Sequence, residues 1–281
     1  MVIKVSMRLT RYTVIFTLFM SLVACKQGKD STGDQDLEDN WELVWDDEFD
    51  YEGLPDPARW THDTAGNDWG WGNNEAQFHT DRDSLNSYVS DGTLKINAII
   101  KEKEGKEYTS ARLITKGKGD WKYGKIEVKA RLPEGRGTWP AIWMLSSDDS
   151  VKWPDMGEID IMEHVGFDPD TVFSTVHTKE YNHIIGTQVG EKMYLPTATE
   201  EFHVYSLEWD KNELRSYVDG KQYFTYKNDG TGEGAWPFNK PFFLILNLAI
   251  GGGLGGQQGI DDDAFPHTFE IDYVRVYQKG E

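Results

Sequence analysis

The chain has 281 residues, with 48 acidic against 29 basic side chains and a net charge of -19. That surplus repels phosphate backbones, so it excludes nucleic acid as a partner and favours a neutral polymer or a bound cation over an anionic polymer. A single cysteine, Cys25, excludes a disulfide framework and any cysteine-based metal site.

At the start of the chain, Lys4, Arg8 and Arg11 precede an apolar run from Tyr12 to Ala24. A basic segment followed by a short apolar one reads as a signal peptide, since the run is too short for a typical membrane span. Its end, Leu22-Val23-Ala24-Cys25, resembles a bacterial lipobox, where cleavage leaves the cysteine to be acylated. Residues 1–25 are therefore expected to be a lipoprotein signal peptide, with Cys25 the site of lipidation. Residues 26–40 are polar and without periodicity, as in a flexible tether. The mature protein would then be secreted to the bacterial cell envelope and held at a membrane by its lipid, with residues 41–279 as its one folded domain.

From Trp41 onward, short apolar-alternating runs recur between turn signals, and the 28 Gly supply the turns. Candidate strands lie near 42–47, 93–99, 111–116, 139–145, 157–164, 171–178 and 202–209. Ile126 to Arg131 alternates with Ile126, Val128 and Ala130 on one face. Ser216 to Phe224 reads as strand, Asp219-Gly220 turn and strand, because Asp-Gly suits the positive φ of a tight hairpin. Phe242 to Leu248 is almost continuously apolar, as in a strand covered on both faces. Thr268 to Tyr277 would place Phe269, Ile271 and Tyr273 on one side and Val274 and Val276 on the other. No amphipathic helix and no internal repeat is evident. More than ten short strands point to an all-β domain of two stacked antiparallel sheets.

The chemistry concentrates in Gly157-Glu158-Ile159-Asp160-Ile161-Met162-Glu163. Side chains of a regular strand alternate, so Glu158 and Asp160 share a face, but the third acid arrives one residue late. For all three to line one cleft, a β-bulge near Ile161 and Met162 must absorb the extra residue. Close carboxylates raise one another's pKa values, which permits a protonated acid beside an ionised nucleophile, as retaining glycosidases need. Trp139, Trp143 and Trp153 lie within twenty residues of Glu158, and indole faces make platforms for sugar rings. The bland alternative is an amphipathic strand with its acids in solvent and the tryptophans in the core.

This acid run, preceded by Gly137-Thr138-Trp139-Pro140-Ala141-Ile142-Trp143-Met144-Leu145, resembles glycoside hydrolase family 16, and within it the bacterial laminarinases. The opening Leu43 to Asp50 and the close Phe269 to Tyr277 fit the same family, so the likeness spans roughly residues 42–278. It implies a concanavalin A-like β-jelly roll, endo-hydrolysis of a neutral β-1,3-glucan and a monomer. It also implies Glu158 as nucleophile, Glu163 as acid/base and Asp160 as assistant, a mechanism that needs no cofactor. Matching binding positions are Asn73, Arg112, Trp139, Trp143, Trp153 and His177. A structural calcium would be held by Glu48, the Gly92 backbone and Asp272. One departure stands out: relatives often carry a Trp in the glycine-rich loop where this chain has Gly251 to Gly259, so one sugar contact is missing or supplied elsewhere. Alternative readings are a mixed-linkage β-1,3-1,4-glucanase, a galactan hydrolase or a transglycosylase. A non-catalytic carbohydrate-binding protein has no need of paired glutamates at bulge spacing.

Overall fold

In a computed structural model, which describes residues 40–280, the chain forms a β-jelly-roll sandwich of two sheets. The signal segment, Cys25 and all of the tether except Asn40 lie outside the described residues. One sheet runs, in spatial order, through Val189–Tyr194, Thr171–His177, Glu158–His164, Thr138–Ser146, Phe242–Ile250, Arg112–Ile114 and Thr61–His62. The other runs through Lys221–Lys227, Glu213–Val218, His203–Trp209, Gly124–Arg131, His267–Lys279, Thr93–Lys103, Lys106–Ser110 and Gln77–His79, while Trp41–Asp47 pairs with His267–Lys279 and Ser87–Ser90 with Thr93–Lys103. Pairings are antiparallel except that of Gln77–His79 with Lys106–Ser110. Helix is confined, among the described residues, to one four-residue turn at Gly252–Gly255 and two short 3-10 segments.

The core lies between the sheets. Ile126, Val128, Ala130, Leu207, Val274 and Val276 come from one sheet and Ile142, Met144, Ile159, Leu244 and Leu246 from the other. Each Val, Leu, Ile or Met side chain among these, once removed from water, contributes about 1.5–3 kcal/mol. Alternation produces this layer directly: in Gly124–Arg131 every second residue is buried. The Asp219-Gly220 hairpin forms with φ of 50° and 75°, the conformation that selects those two residues.

Strand Phe242–Ile250 is buried at every position because it is the centre of its sheet. One face enters the core, while Asn247 and Ala249 on the other lie in a cleft floor. The terminal strand departs from simple alternation. Its pairing with Gly124–Arg131 slips between Ile271 and Tyr273, and Phe269, Ile271, Val274 and Val276 are all fully buried on one side. A bulge at Asp272 thus turns Val274 and Val276 back to the core and sends Tyr273 outward, correcting the opposite-face assignment. The strands Gln77–His79, Ser87–Ser90, Lys106–Ser110 and Val189–Tyr194 were not evident in sequence, being short, polar or edge elements.

Candidate active site

A cleft of about 400 Å³ opens over the sheet that carries the acid strand. Its floor is built by alternation along two neighbouring strands. Trp139, Ala141, Trp143 and Leu145 face it from one, while Ile142 and Met144 enter the core. Glu158, Asp160 and Glu163 face it from the other, while Ile159, Ile161 and Met162 are buried in the core.

The bulge that this requires is present. Pairing to Thr138–Ser146 jumps from Ile142↔Met162 to Trp143↔Asp160. On the other side, pairing to Thr171–His177 jumps from Asp160↔Thr175 to Glu163↔Phe173. Peptide groups at a bulge lose ladder partners and need others. Here the Ser174 hydroxyl donates to the Asp160 carbonyl at 2.7 Å, and the Tyr223 hydroxyl reaches from the opposite sheet to the Ile161 carbonyl at 3.3 Å. These two side chains hold the kink that aims Glu163 into the cleft.

Each glutamate is held by an indole. Trp139 Nε1 donates to Glu163 Oε1 at 3.0 Å, and Trp153 Nε1 donates to Glu158 Oε2 at 3.0 Å. Burial, reinforced by repulsion from Glu163, raises the Glu158 pKa to about 8, against the lowering effect of Trp153 and Arg112. Burial likewise raises Glu163 to about 7, opposed by Trp139. Asp160 is pushed well above the ordinary range by burial and by both glutamates. Three buried acids with no cation hydrogen-bonded to them cannot all be charged at neutral pH, so the group shares protons.

His177 sits behind the acids rather than in the cleft wall, with Nε2 3.4 Å from Asp160 Oδ2 and 3.7 Å from Glu158 Oε1. Burial lowers its pKa to about 4, so its imidazole is neutral at neutral pH. Asp160 Oδ2 and His177 Nδ1 are buried without a hydrogen-bond partner.

Arg112 lies with its guanidinium 4.5 Å from the centroid of Trp71 and 4.6 Å from that of Trp143, and it pairs with Asp63 at 3.1 Å. This sandwich fixes two aromatic faces at once. Asn73 lines the cleft and donates to Glu75 Oε1 at 3.3 Å. Glu75 is itself held by Gln77, whose carbonyl accepts from the Ile250 amide. All six binding positions suggested by the resemblance therefore surround the acids, His177 from behind.

Sequence reasoning missed Asp63, Trp69, Trp71, Glu75, His183, Ile184 and Asn247, which also line the cleft. A signal existed for two of them. In Trp69-Gly70-Trp71-Gly72, glycines flank bulky rings without strand alternation, and Gly70 and Trp71 both adopt positive φ. Rings in so irregular a segment are poorly suited to a sheet core. Trp69, 61 % exposed, and Trp71 supply aromatic surface that the tryptophan-free glycine loop lacks. That loop instead passes close to Trp139: a Cβ on Gly255 would lie 2.8 Å from the Trp139 Cβ.

The three calcium positions converge on one edge of strand His267–Lys279. Thr93–Lys103 pairs with it up to Ile271, and Trp41–Asp47 pairs with it from Val274 onward. Glu48 follows one of these strands and Gly92 precedes the other, so both flank the bulge at Asp272. All-oxygen donors of this kind suit calcium. The carboxylates, however, already meet cations: Glu48 binds Arg275 at 2.6 and 2.8 Å, and Asp272 binds Lys129 at 2.6 Å.

Residues 63–275 match the family model "Glycosyl hydrolases family 16". A beta-glucanase from Rhodothermus marinus is 50 % identical over 287 residues, covering 99 % of this chain and 97 % of that one. Among solved structures, the laminarinase from Rhodothermus marinus superimposes with a TM-score of 0.83 at 53 % identity, over 86 % of this chain and 98 % of that one. The laminarinase catalytic domain from Thermotoga maritima does so at 0.78 and 41 % identity, over 86 % of this chain and 100 % of that one.

Proposed function

The chain belongs to glycoside hydrolase family 16, and from that premise we propose that it cleaves internal β-1,3 linkages of a laminarin-type glucan with retention of configuration. The observation that carries the reading is the bulge at Ile161 and Met162, which brings Glu158 and Glu163 into one cleft beside Trp139, Trp143 and Trp153. Glu163 donates its proton to the glycosidic oxygen as a Glu158 oxygen attacks the anomeric carbon and the C–O bond breaks. Glu163, now ionised, takes a proton from water, and that water displaces Glu158 to release the sugar with its configuration retained. Trp153 occupies one oxygen of Glu158 and leaves the other for attack, and Trp139 orients Glu163 in the same way. Asp160, which burial and both glutamates keep protonated, spares the nucleophile a second adjacent negative charge.

Proton NMR of laminarin hydrolysis tests this directly: the β-anomer should appear first, and an initial α-anomer would refute retention. The two roles separate on a substrate with a good leaving group. Glu163→Ala should still form the glycosyl-enzyme there, because no proton is needed, whereas Glu158→Ala should not react at all.

Two further parts of the reading rest on other evidence. Calcium is proposed at Glu48, the Gly92 carbonyl and Asp272, supported by the strand register around the Asp272 bulge; the ion would displace Arg275 and Lys129. Millimolar calcium should raise Tm and a chelator should lower it again; no shift would remove the ion. A lipid at Cys25 and attachment to the cell envelope are supported by Leu22-Val23-Ala24-Cys25 and the polar residues after it. Cys25→Ala should abolish labelling by radioactive palmitate and release the enzyme from membranes.

A further inference from the structure

We infer that Glu158, Asp160 and His177 form a binding site for a late first-row divalent ion, zinc foremost, which competes with the glucan for the cleft. One candidate ligand atom from each residue lies within 4.8 Å of the other two. Zinc bonds of 2.0–2.1 Å in tetrahedral geometry set ligand atoms about 3.3 Å apart. The separation of His177 Nε2 from Asp160 Oδ2 is 3.4 Å, and from Glu158 Oε1 it is 3.7 Å, so two of the three edges need little adjustment. One imidazole nitrogen with two carboxylate oxygens is a donor set that suits zinc, whereas magnesium demands six-coordination by oxygen and water.

One observation independent of that spacing, the unpartnered Asp160 oxygen, points to a ligand. Asp160, 4 % exposed, leaves Oδ2 with no donor, and His177 leaves Nδ1 with no partner. A proton on Nδ1 frees the Nε2 lone pair toward the acids. The backbone fixes the arrangement, since Glu158 and His177 are directly paired across the ladder and Asp160 is two residues along the same strand. Three protein ligands leave a fourth position open toward the cleft, where water or a sugar hydroxyl would complete the shell. An ion there covers the Glu158 oxygens and holds them away from an anomeric carbon. Its inhibitory effect rests on the role proposed for Glu158, but its binding does not.

Titration of the purified chain with zinc chloride, followed by calorimetry and equilibrium dialysis, tests the site. One ion should bind per chain, and His177→Ala and Asp160→Asn should each weaken it at least roughly tenfold. Glu163→Gln should bind zinc as the parent does, and magnesium chloride should give no binding. Zinc should raise KM for laminarin without lowering kcat, reversibly on adding a chelator. Absence of stoichiometric binding, or equal binding by the His177 and Asp160 variants, overturns the site. Asp160→Asn is isosteric, so it decides the matter if the histidine variant fails to fold. Binding lost in both variants without any inhibition of hydrolysis would uphold the site, while refuting both competition and Glu158 as nucleophile.

Discussion

The two glutamates at the cleft floor carry pKa values of about 8 and about 7, raised chiefly because burial disfavours their charge. A carboxyl raised in the folded state binds its proton more tightly there than in the unfolded chain. Its contribution therefore becomes destabilising as pH rises from about 4.5 toward 8. Glu163→Gln removes one such group, and it should gain stability on the order of 2 kcal/mol at pH 8 while gaining little at pH 4. Chemical denaturation at the two pH values measures this; an equal effect at both would show that Glu163 is not perturbed. The reaction needs the pair to hold one proton, on Glu163 with Glu158 ionised, so activity should fall on both sides of the region between about 7 and about 8, and the alkaline limb should disappear in Glu163→Ala acting on an activated substrate. Arg112 poses a different question, because it touches two indoles and Asp63 rather than the acids. Lysine keeps the charge but cannot stack as a plane. Arg112→Lys should raise KM roughly tenfold, with a smaller change in kcat, as steady-state kinetics would show.

Along the acid strand, one residue more than alternation allows is absorbed by the bulge. Deleting Met162 would restore regular pairing and leave Glu158, Asp160 and Glu163 at alternate positions, so all three acids should still face the cleft. That variant should keep hydrolysing laminarin while losing roughly 2–5 kcal/mol with the buried Met162 side chain, measured by turnover and by chemical denaturation; loss of all activity with the fold intact would show that the kink itself sets the geometry of the acids. A gentler probe is Ser174→Ala, which removes the donor to the Asp160 carbonyl and a contact with Ser216. It should cost about 1 kcal/mol of stability. It should lower kcat roughly tenfold with KM little changed, because bulge geometry affects the reacting acids more than the sugar platforms. An unchanged kcat would show that the kink holds without its hydroxyl. Just before the strand, Gly157 has φ of +84°, and a Cβ there would lie 2.7 Å from Pro237 Cγ. Gly157 thus permits both the turn and the close approach that deliver Glu158 to its place.

Over the whole molecule, charge and aromatic surface act together on substrate choice. The cleft is lined by Asp63, Glu75, Glu158, Asp160 and Glu163, and its one Lys or Arg side chain among the described residues, Arg112, lies against Trp71 and Trp143. A sulfated galactan would meet repulsion there without a free cation to receive it. In a polysaccharide panel, laminarin should be cut and carrageenan should not. KM for the neutral polymer should change less than roughly twofold between about 0.05 and 0.5 M salt, because screening affects charged partners and leaves stacking in place. Strong salt dependence would point to an ionic substrate.

Much of this architecture was legible in the residues themselves. Alternation in Gly124–Arg131, the Asp219-Gly220 turn and the nearly continuous apolar run from Phe242 to Leu248 are local patterns, and local backbone geometry is enough to read them. The late arrival of Glu163 announced its bulge because three acids of one kind made the extra residue visible. The bulge at Asp272 had no such marker: Tyr273 and Val274 are both apolar, so counting along the chain could not say which turns inward. Only pairing with a strand more than a hundred residues away decides that. The same holds for Arg112 between Trp71 and Trp143, and for Ser174 and Tyr223 on the carbonyls of the acid strand. Strand patterns are set by neighbours in sequence, whereas a site assembled from several strands is set by register across the sheet, which no single segment encodes.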